Sequence, residues 1–210
     1  MSVNRSVFRR SAAVFAAGAA AVVLAACGGS DDSSAGHDGH RSASPSVSAS
    51  APAAQGQHNA ADVVFATGMI PHHRQAVEMA SLAPSRAESP EVKKLAEDIK
   101  KAQDPEIKSL SGWLASWGEP VPAEGAMDHS SHGMAGMMSP EEMDKLKDSS
   151  GKAFDTAFME MMIKHHEGAV DMAKTEQARG SFPEAKTMAQ GIITSQTAEI
   201  AQMNMLRGKS

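Results

Sequence analysis

Residues 62–80 and 155–173 carry one pattern twice, 93 positions apart and without a gap. Asp62, Phe65, Met69, Ile70, His72, His73, Ala76, Val77, Met79 and Ala80 recur as Asp155, Phe158, Met162, Ile163, His165, His166, Ala169, Val170, Met172 and Ala173. The register continues through Pro90-Glu91, Gln103 and Glu106-Ile107, which answer to Pro183-Glu184, Gln196 and Glu199-Ile200. A unit of this size has one apolar face and no way to cover it alone, so two copies in one chain are expected to pack on each other.

Apolar spacing assigns each copy to a helical hairpin. At 100° per residue Asp62, Phe65, Met69, His72, His73, Ala76, Ala80 and Ala83 share one face, predicting a first helix over about 60–83. Pro90, a favourable first-turn proline, opens a second that reaches about Trp117. Ser139, Pro140 and the acids Glu141 and Glu142 open a third, expected to run unbroken to about Gly180. The fourth spans Pro183 to about Arg207. Pro71 and Pro105 each remove a backbone donor inside a helix and should kink it. Short connections at 84–89 and 180–182 force antiparallel hairpins. The predicted fold is therefore all-α, a four-helix bundle of two pseudo-symmetric hairpins over 59–208. Repeat one covers 59–117, a linker 118–139 and repeat two 140–208.

The N-terminal region reads differently. Arg5, Arg9 and Arg10 precede the apolar run Ala12–Ala26, and small residues lead into Cys27, the one cysteine of the chain. This pattern predicts a bacterial lipoprotein signal over 1–27 with Cys27 lipidated, and Arg9-Arg10 hints at twin-arginine export. The run is short against the ~20 apolar residues of a membrane span. Residues 28–58, rich in Ser, Ala, Gly and Pro, read as a disordered tether. The expected location is thus extracytoplasmic, in the cell envelope, attached to the membrane by lipid. A single cysteine excludes an intrachain disulfide and a thiolate metal cluster. The formal charge is −5, and loss of the three signal arginines makes it −8, which argues against nucleic acid as a partner.

Geometry singles out the side chains that carry chemistry. His72 and His73 straddle the middle of the first helix's buried face, with Met69 one turn before them; His165, His166 and Met162 repeat this. Glu78 and Asp171, though acidic and repeated, point outward. Gln103 and Glu106 fall in the apolar stripe of the second helix, as Gln196 and Glu199 do in the fourth, so they are expected to meet the imidazoles and orient them. Imidazole with thioether and no thiolate favours copper, Cu(I) above all, with zinc as the ion the histidines alone would accept. Fifteen methionines are the compositional outlier. Met127, His129, His132, Met134, Met137 and Met138, with Met143 beyond them, make the linker a candidate capture segment for a soft ion, and His37, His40 and His58 add histidines to the tether.

The paired Asp-x-x-Phe-x-x-x-Met-x-x-His-His-x-x-Ala-x-x-Met-Ala segments, each followed by Gln-x-x-Glu-Ile, resemble the family known as domain of unknown function 305 over about residues 59–117 and 150–207. The resemblance implies a ferritin-like four-helix fold in an exported bacterial protein, with some members linked to copper handling. It places the family's signature on His72, His73, His165 and His166, with Met69 and Met162 in its methionine positions. Trp113-Leu114 matches the aromatic end of its second helix, whereas copy two has Leu206 in place of the tryptophan. Taken together, these features predict an exported, lipid-anchored protein that binds copper and buffers it or delivers it to an envelope metal-handling partner. A ferritin-like di-metal oxidase is one alternative, but it would use inward Glu-x-x-His and the chain has none. The other is a metal-free envelope interaction module whose polar layer only fixes hairpin pairing.

Overall fold

In the computed structural model, which describes residues 57–124 and 135–208, the regular structure is helical apart from one bridge pairing Ala87 with Gly151. Helix α1 spans Ala60–Arg86 and α2 Pro90–Trp117. Then come α3, Pro140–Asp148, α4, Gly151–Arg179, and α5, Pro183–Arg207. The signal, the tether up to residue 56, Cys27, His37 and His40 lie outside the described residues, as do Met127, His129, His132 and Met134. No helix among the described residues is long and apolar enough to cross a membrane.

Two expectations about the helices need correction. The first helix does not stop at Ala83 but runs on through Pro84 to Arg86, and the Ala87 N–H still reaches the Ala83 carbonyl. Pro71 and Pro105 lie inside α1 and α2, as expected. The single helix expected from Ser139 to Gly180 is two. Ser149 leaves the helix with ψ 157°, Ser150 is extended, and Gly151 re-enters at φ 61°, a left-handed backbone that glycine adopts without steric cost. The short α3 is therefore free to lean on both α1 and α4. It is well specified locally: Ser139 and Glu142 form a reciprocal capping box, and Met143 and Leu146 are buried.

The two hairpins, α1–α2 and α4–α5, meet along α1 and α4, whereas α2 and α5 touch each other little. These central helices are antiparallel: the Asn59 amide at the start of α1 donates to Arg179 O at the end of α4 (2.9 Å), while Ala87 pairs with Gly151 at the opposite end. Each hairpin holds the turn of the other. The Asp62 carboxylate accepts from the backbone N–H of Ser181 (3.0 Å) and Phe182 (2.9 Å), at the N-terminus of α5, which has no side-chain cap of its own. Asp155 accepts from the backbone N–H of Glu88 (3.1 Å) and Ser89 (2.8 Å), at the pseudo-symmetric turn. The repeated aspartates are thus reciprocal clamps, which explains why the motif carries them.

The apolar core comes in two pieces. One holds Phe65, Ala66, Met69, Ile70, Leu110, Leu114, Ala169, Ala173 and the start of α5. The other holds Ala76, Met79, Ile99, Phe154, Phe158 and five further methionines: Met138, Met143, Met159, Met162 and Met203. The break falls at the level of His72 and His165. At the edge of the first piece Trp113 and Trp117 pack edge-on against Phe182, and His58 stacks on Trp117. Leu206, the counterpart of Trp113, packs instead against the methionine-rich piece.

Candidate metal centre

Helical register puts His72 and His73 on α1 and His165 and His166 on α4, where the two hairpins meet, and all four are at most 1% exposed. His72 and His165 face each other with ring centroids 3.8 Å apart and planes tilted by 43°. The other two turn outward to the flanking helices. His73 Nε2 lies 2.7 Å from a Glu106 carboxylate oxygen on α2, and His166 Nε2 lies 2.6 Å from Glu199 on α5. Gln103 and Gln196 are buried, whereas the two glutamates keep about a fifth of their side-chain surface in contact with solvent (23% and 18%). The expected contact between imidazole and glutamate is present in both copies.

These contacts set the tautomers. A carboxylate offers only acceptors, so His73 and His166 must donate Nε2–H, which in the neutral ring leaves Nδ1 as a bare lone pair. His72 is held the same way by a different group: its Nε2–H points to the backbone carbonyl of Ala135, 3.2 Å away. His165 makes no well-formed hydrogen bond on either nitrogen, with only a weak pull from the His72 backbone. The Nδ1 atoms of His72, His73 and His166, both ring nitrogens of His165, and Oε1 of Gln103 and Gln196 are buried without a hydrogen-bond partner. Such an atom ordinarily costs about 1–3 kcal/mol. Glu176 apart, whose carboxyl can pair with Asp62 once protonated, these are the orphaned buried polar side-chain atoms among the described residues. With the rings neutral they share a chemical sense: except for one proton on His165, they are lone pairs awaiting an electrophile.

Electrostatics keeps the central pair in ligating form. Burial, and next the neighbouring His73, push the His72 pKa from the usual 6.5 down to about 3, against a smaller opposing pull from the Ala135 carbonyl. His165 is driven well below its usual range, first by burial and then by the other three histidines. Both imidazoles are therefore neutral at physiological pH, as metal binding requires. Met69 and Met162 are fully buried one turn away, and each lies in a different core piece, so a thioether flanks the layer on either side. Among the described residues no three His, Cys, Asp or Glu side chains converge on a point that could hold an ion.

Two linker residues end up against this layer. Met138 is 4% exposed in the methionine-rich core, and Met137 is half-buried beside it. Gln75 holds Met138 by both backbone groups: its Nε2 donates to Met138 O (2.9 Å) and its Oε1 accepts from Met138 N (2.7 Å). Sequence reasoning missed Gln75, because the repeat offered no match for it; copy two has Gly168 there. It likewise assigned no role to Glu176, whose counterpart is Ala83. Glu78 and Asp171 point outward as expected, Glu78 pairing with Lys147 on α3.

The family DUF305, a domain of unknown function, matches residues 62–207. Among solved structures, a DUF305 protein of Streptomyces coelicolor provisionally described as secreted is 36% identical, with a TM-score of 0.64 over 71% of this chain and 91% of its own. CopM in its Cu(I)-bound form is 38% identical over 70% of this chain and 96% of its own, with a TM-score of 0.59. In its Cu(II)-bound form it is 40% identical over the same shares, with a TM-score of 0.62. None of the curated proteins matches the chain. The agreement in repeat, fold and extent makes this chain a member of the DUF305 family.

Proposed function

We propose that this chain is an exported, lipid-anchored copper-binding protein whose Met/His-His layer holds the ion for buffering or delivery. The observation that carries the reading is the concentration of unpartnered ring nitrogens and amide oxygens on His72, His73, His165, His166, Gln103 and Gln196 in the buried interior. A cation is the electrophile that such a donor set lacks. Zinc ordinarily takes three or four nitrogen, oxygen or thiolate ligands, and three such groups do not converge among the described residues. A soft ion can take fewer imidazoles together with a thioether, and Met69 and Met162 supply that sulfur. Glu106 and Glu199 orient His73 and His166 as carboxylates orient ligating histidines elsewhere. Copper and silver forms of CopM, a relative of similar extent, support the same choice of ion. The lipid on Cys27 would keep the bundle at the membrane surface, and the linker residues Met127, His129, His132, Met134 and Met137 would gather ions with lower affinity.

The test is titration of the purified protein with Cu(I), Cu(II), Zn(II) and Fe(II). Replacing His72, His73, His165 and His166 together with alanine should abolish the tightest Cu(I) site; unchanged binding would refute the layer as the site. A gentler variant, Met69→Leu with Met162→Leu, nearly preserves core volume, so its stability cost should stay below ~1.5 kcal/mol. It should weaken Cu(I) at least tenfold and leave Zn(II) within a factor of about three, because only the soft ion uses thioether. Equal loss for both ions would exclude the methionines as ligands.

A further inference from the structure

We infer that residues Ala135–Met138 are the access cover of the His72–His165 pair, held shut by Gln75 and seated on Gly168; the claim that ions pass beneath it rests on the copper reading. Both rings are almost fully buried, so anything that reaches them from solvent must first displace a neighbour. On α1 and α4 that neighbour is the strap. Its Ala135 carbonyl holds His72 Nε2–H, and its Gly136, at φ 84°, lies directly against the carbonyls of Lys164 and His165. A methyl group on Gly168 would collide with the Ala135 carbonyl, so the strap passes where copy two has no side chain. At the pseudo-symmetric position copy one has Gln75, whose amide grips Met138 through both its nitrogen and its oxygen.

This pair of positions explains a break in the repeat. A single connection between the hairpins cannot obey their two-fold relation, so it must be tied on one copy and accommodated on the other. Gln75 ties it and Gly168 makes room. The same asymmetry leaves His165 without the carbonyl that His72 enjoys. Beyond Met138 the strap runs into α3, anchored by Met143 and Leu146 in the core and by ion pairs from Lys147 to Glu78 and from Glu142 to Lys164. That anchorage leaves the latch at Gln75, rather than α3, as the weaker hold. His73 and His166 do not touch the strap in this way; their hydrogen-bond partners, Glu106 and Glu199, are themselves partly open to solvent.

The test compares wild type, Gln75→Ala and Gly168→Ala in the full-length protein. Diethyl pyrocarbonate modification of each histidine, followed by mass spectrometry, reads opening without any metal. Either variant should speed modification of His72 and His165 roughly tenfold, the effect of about one to two lost hydrogen bonds, with His73 and His166 within a factor of about two. In parallel, Cu(I) release to a bicinchoninate competitor should accelerate by a similar factor. No change at His72 and His165 overturns the cover, and so does an equal rise at all four histidines, which would mean general loosening. Selective modification with no Cu(I) uptake by wild type would uphold the cover and sink the copper reading. Cu(I) uptake lost in the four-histidine variant, but with exchange and modification indifferent to Gln75 and Gly168, would do the reverse.

Discussion

Replacing Asp62 with alanine is expected to lower folding stability by about 3–5 kcal/mol, the cost of breaking a buried, fully hydrogen-bonded charged group. Asp62 is fully buried and accepts four separate donors: Asn59 N–H, Ser181 N–H, the Ser181 hydroxyl and Phe182 N–H. Burial alone would raise its pKa, but Glu176 and the backbone donors outweigh it and hold the carboxyl at about 2. Alanine would strand the N–H groups of Ser181 and Phe182 just before α5, remove one half of the capping box of α1 and leave Glu176 facing nothing. Asp155→Ala removes two backbone contacts at the other turn, where Ser89 still caps α2, so its cost should be nearer 1–2 kcal/mol. Urea midpoints of the two variants decide the matter. A loss for Asp62→Ala no larger than for Asp155→Ala would remove the aspartate clamp as a main determinant of how the hairpins pair.

The second large effect is a pH optimum. In the metal-free protein, stability should peak near pH 6.5 and fall on both sides. Glu176 is 1% exposed, and its pKa is raised from 4.5 to about 8, first by burial and then by the hydrogen bond and charge of Asp62, with Lys186 opposing. A carboxyl whose folded pKa is raised holds its proton in the native state while the unfolded chain gives its own up. Its contribution is therefore complete below pH 4.5 and is lost as pH climbs to about 8. His72 and His165 act the other way: with folded pKa values depressed below 6.5, their contribution is complete above 6.5 and is lost on acidification toward about 3. Each proton changes stability by at most about 1.4 kcal/mol per pH unit. Between 4.5 and 6.5 two histidines outweigh one glutamate, and above 6.5 the glutamate acts alone.

Glu176→Gln separates the two limbs. Glutamine fills the same space beside Gly180, where even a methyl group would strike the Glu176 carboxyl, and its amide can donate to Asp62 in place of the protonated acid. The variant should keep the acid limb and be flat from pH 6.5 to 8 in denaturation measured across that range. A wild-type protein already flat over that interval would mean that Glu176 is ionised beside Asp62.

Much of this architecture was legible in the chain. A 3.6-residue period and good caps define helices locally, so α2 and α5 lie where spacing puts them, and the same period turns His72, His73, His165 and His166 inward. The split of the third helix was readable too, since Ser149-Ser150-Gly151 is a breaker cluster inside an apolar pattern. The apolar pattern resumes in register beyond it, which masks the break. The family resemblance agreed with these local signals, and the match over residues 62–207 supports it.

The features that required tertiary structure are those without a counterpart in the other copy. Gln75 meets Met138 across 63 positions, and His72 meets Ala135 across another 63. Repetition reveals what both hairpins must do, because each obeys the same short-range periodicity. It is silent about the one strap that joins them and the one glutamate that breaks their symmetry. The sequence by itself determined two helical hairpins with a Met-His-His cluster turned inward, since helix period and side-chain polarity are local properties. Only the tertiary structure decided how that layer is closed. Closure depends on close approaches and hydrogen bonds between segments that become neighbours once the hairpins have packed.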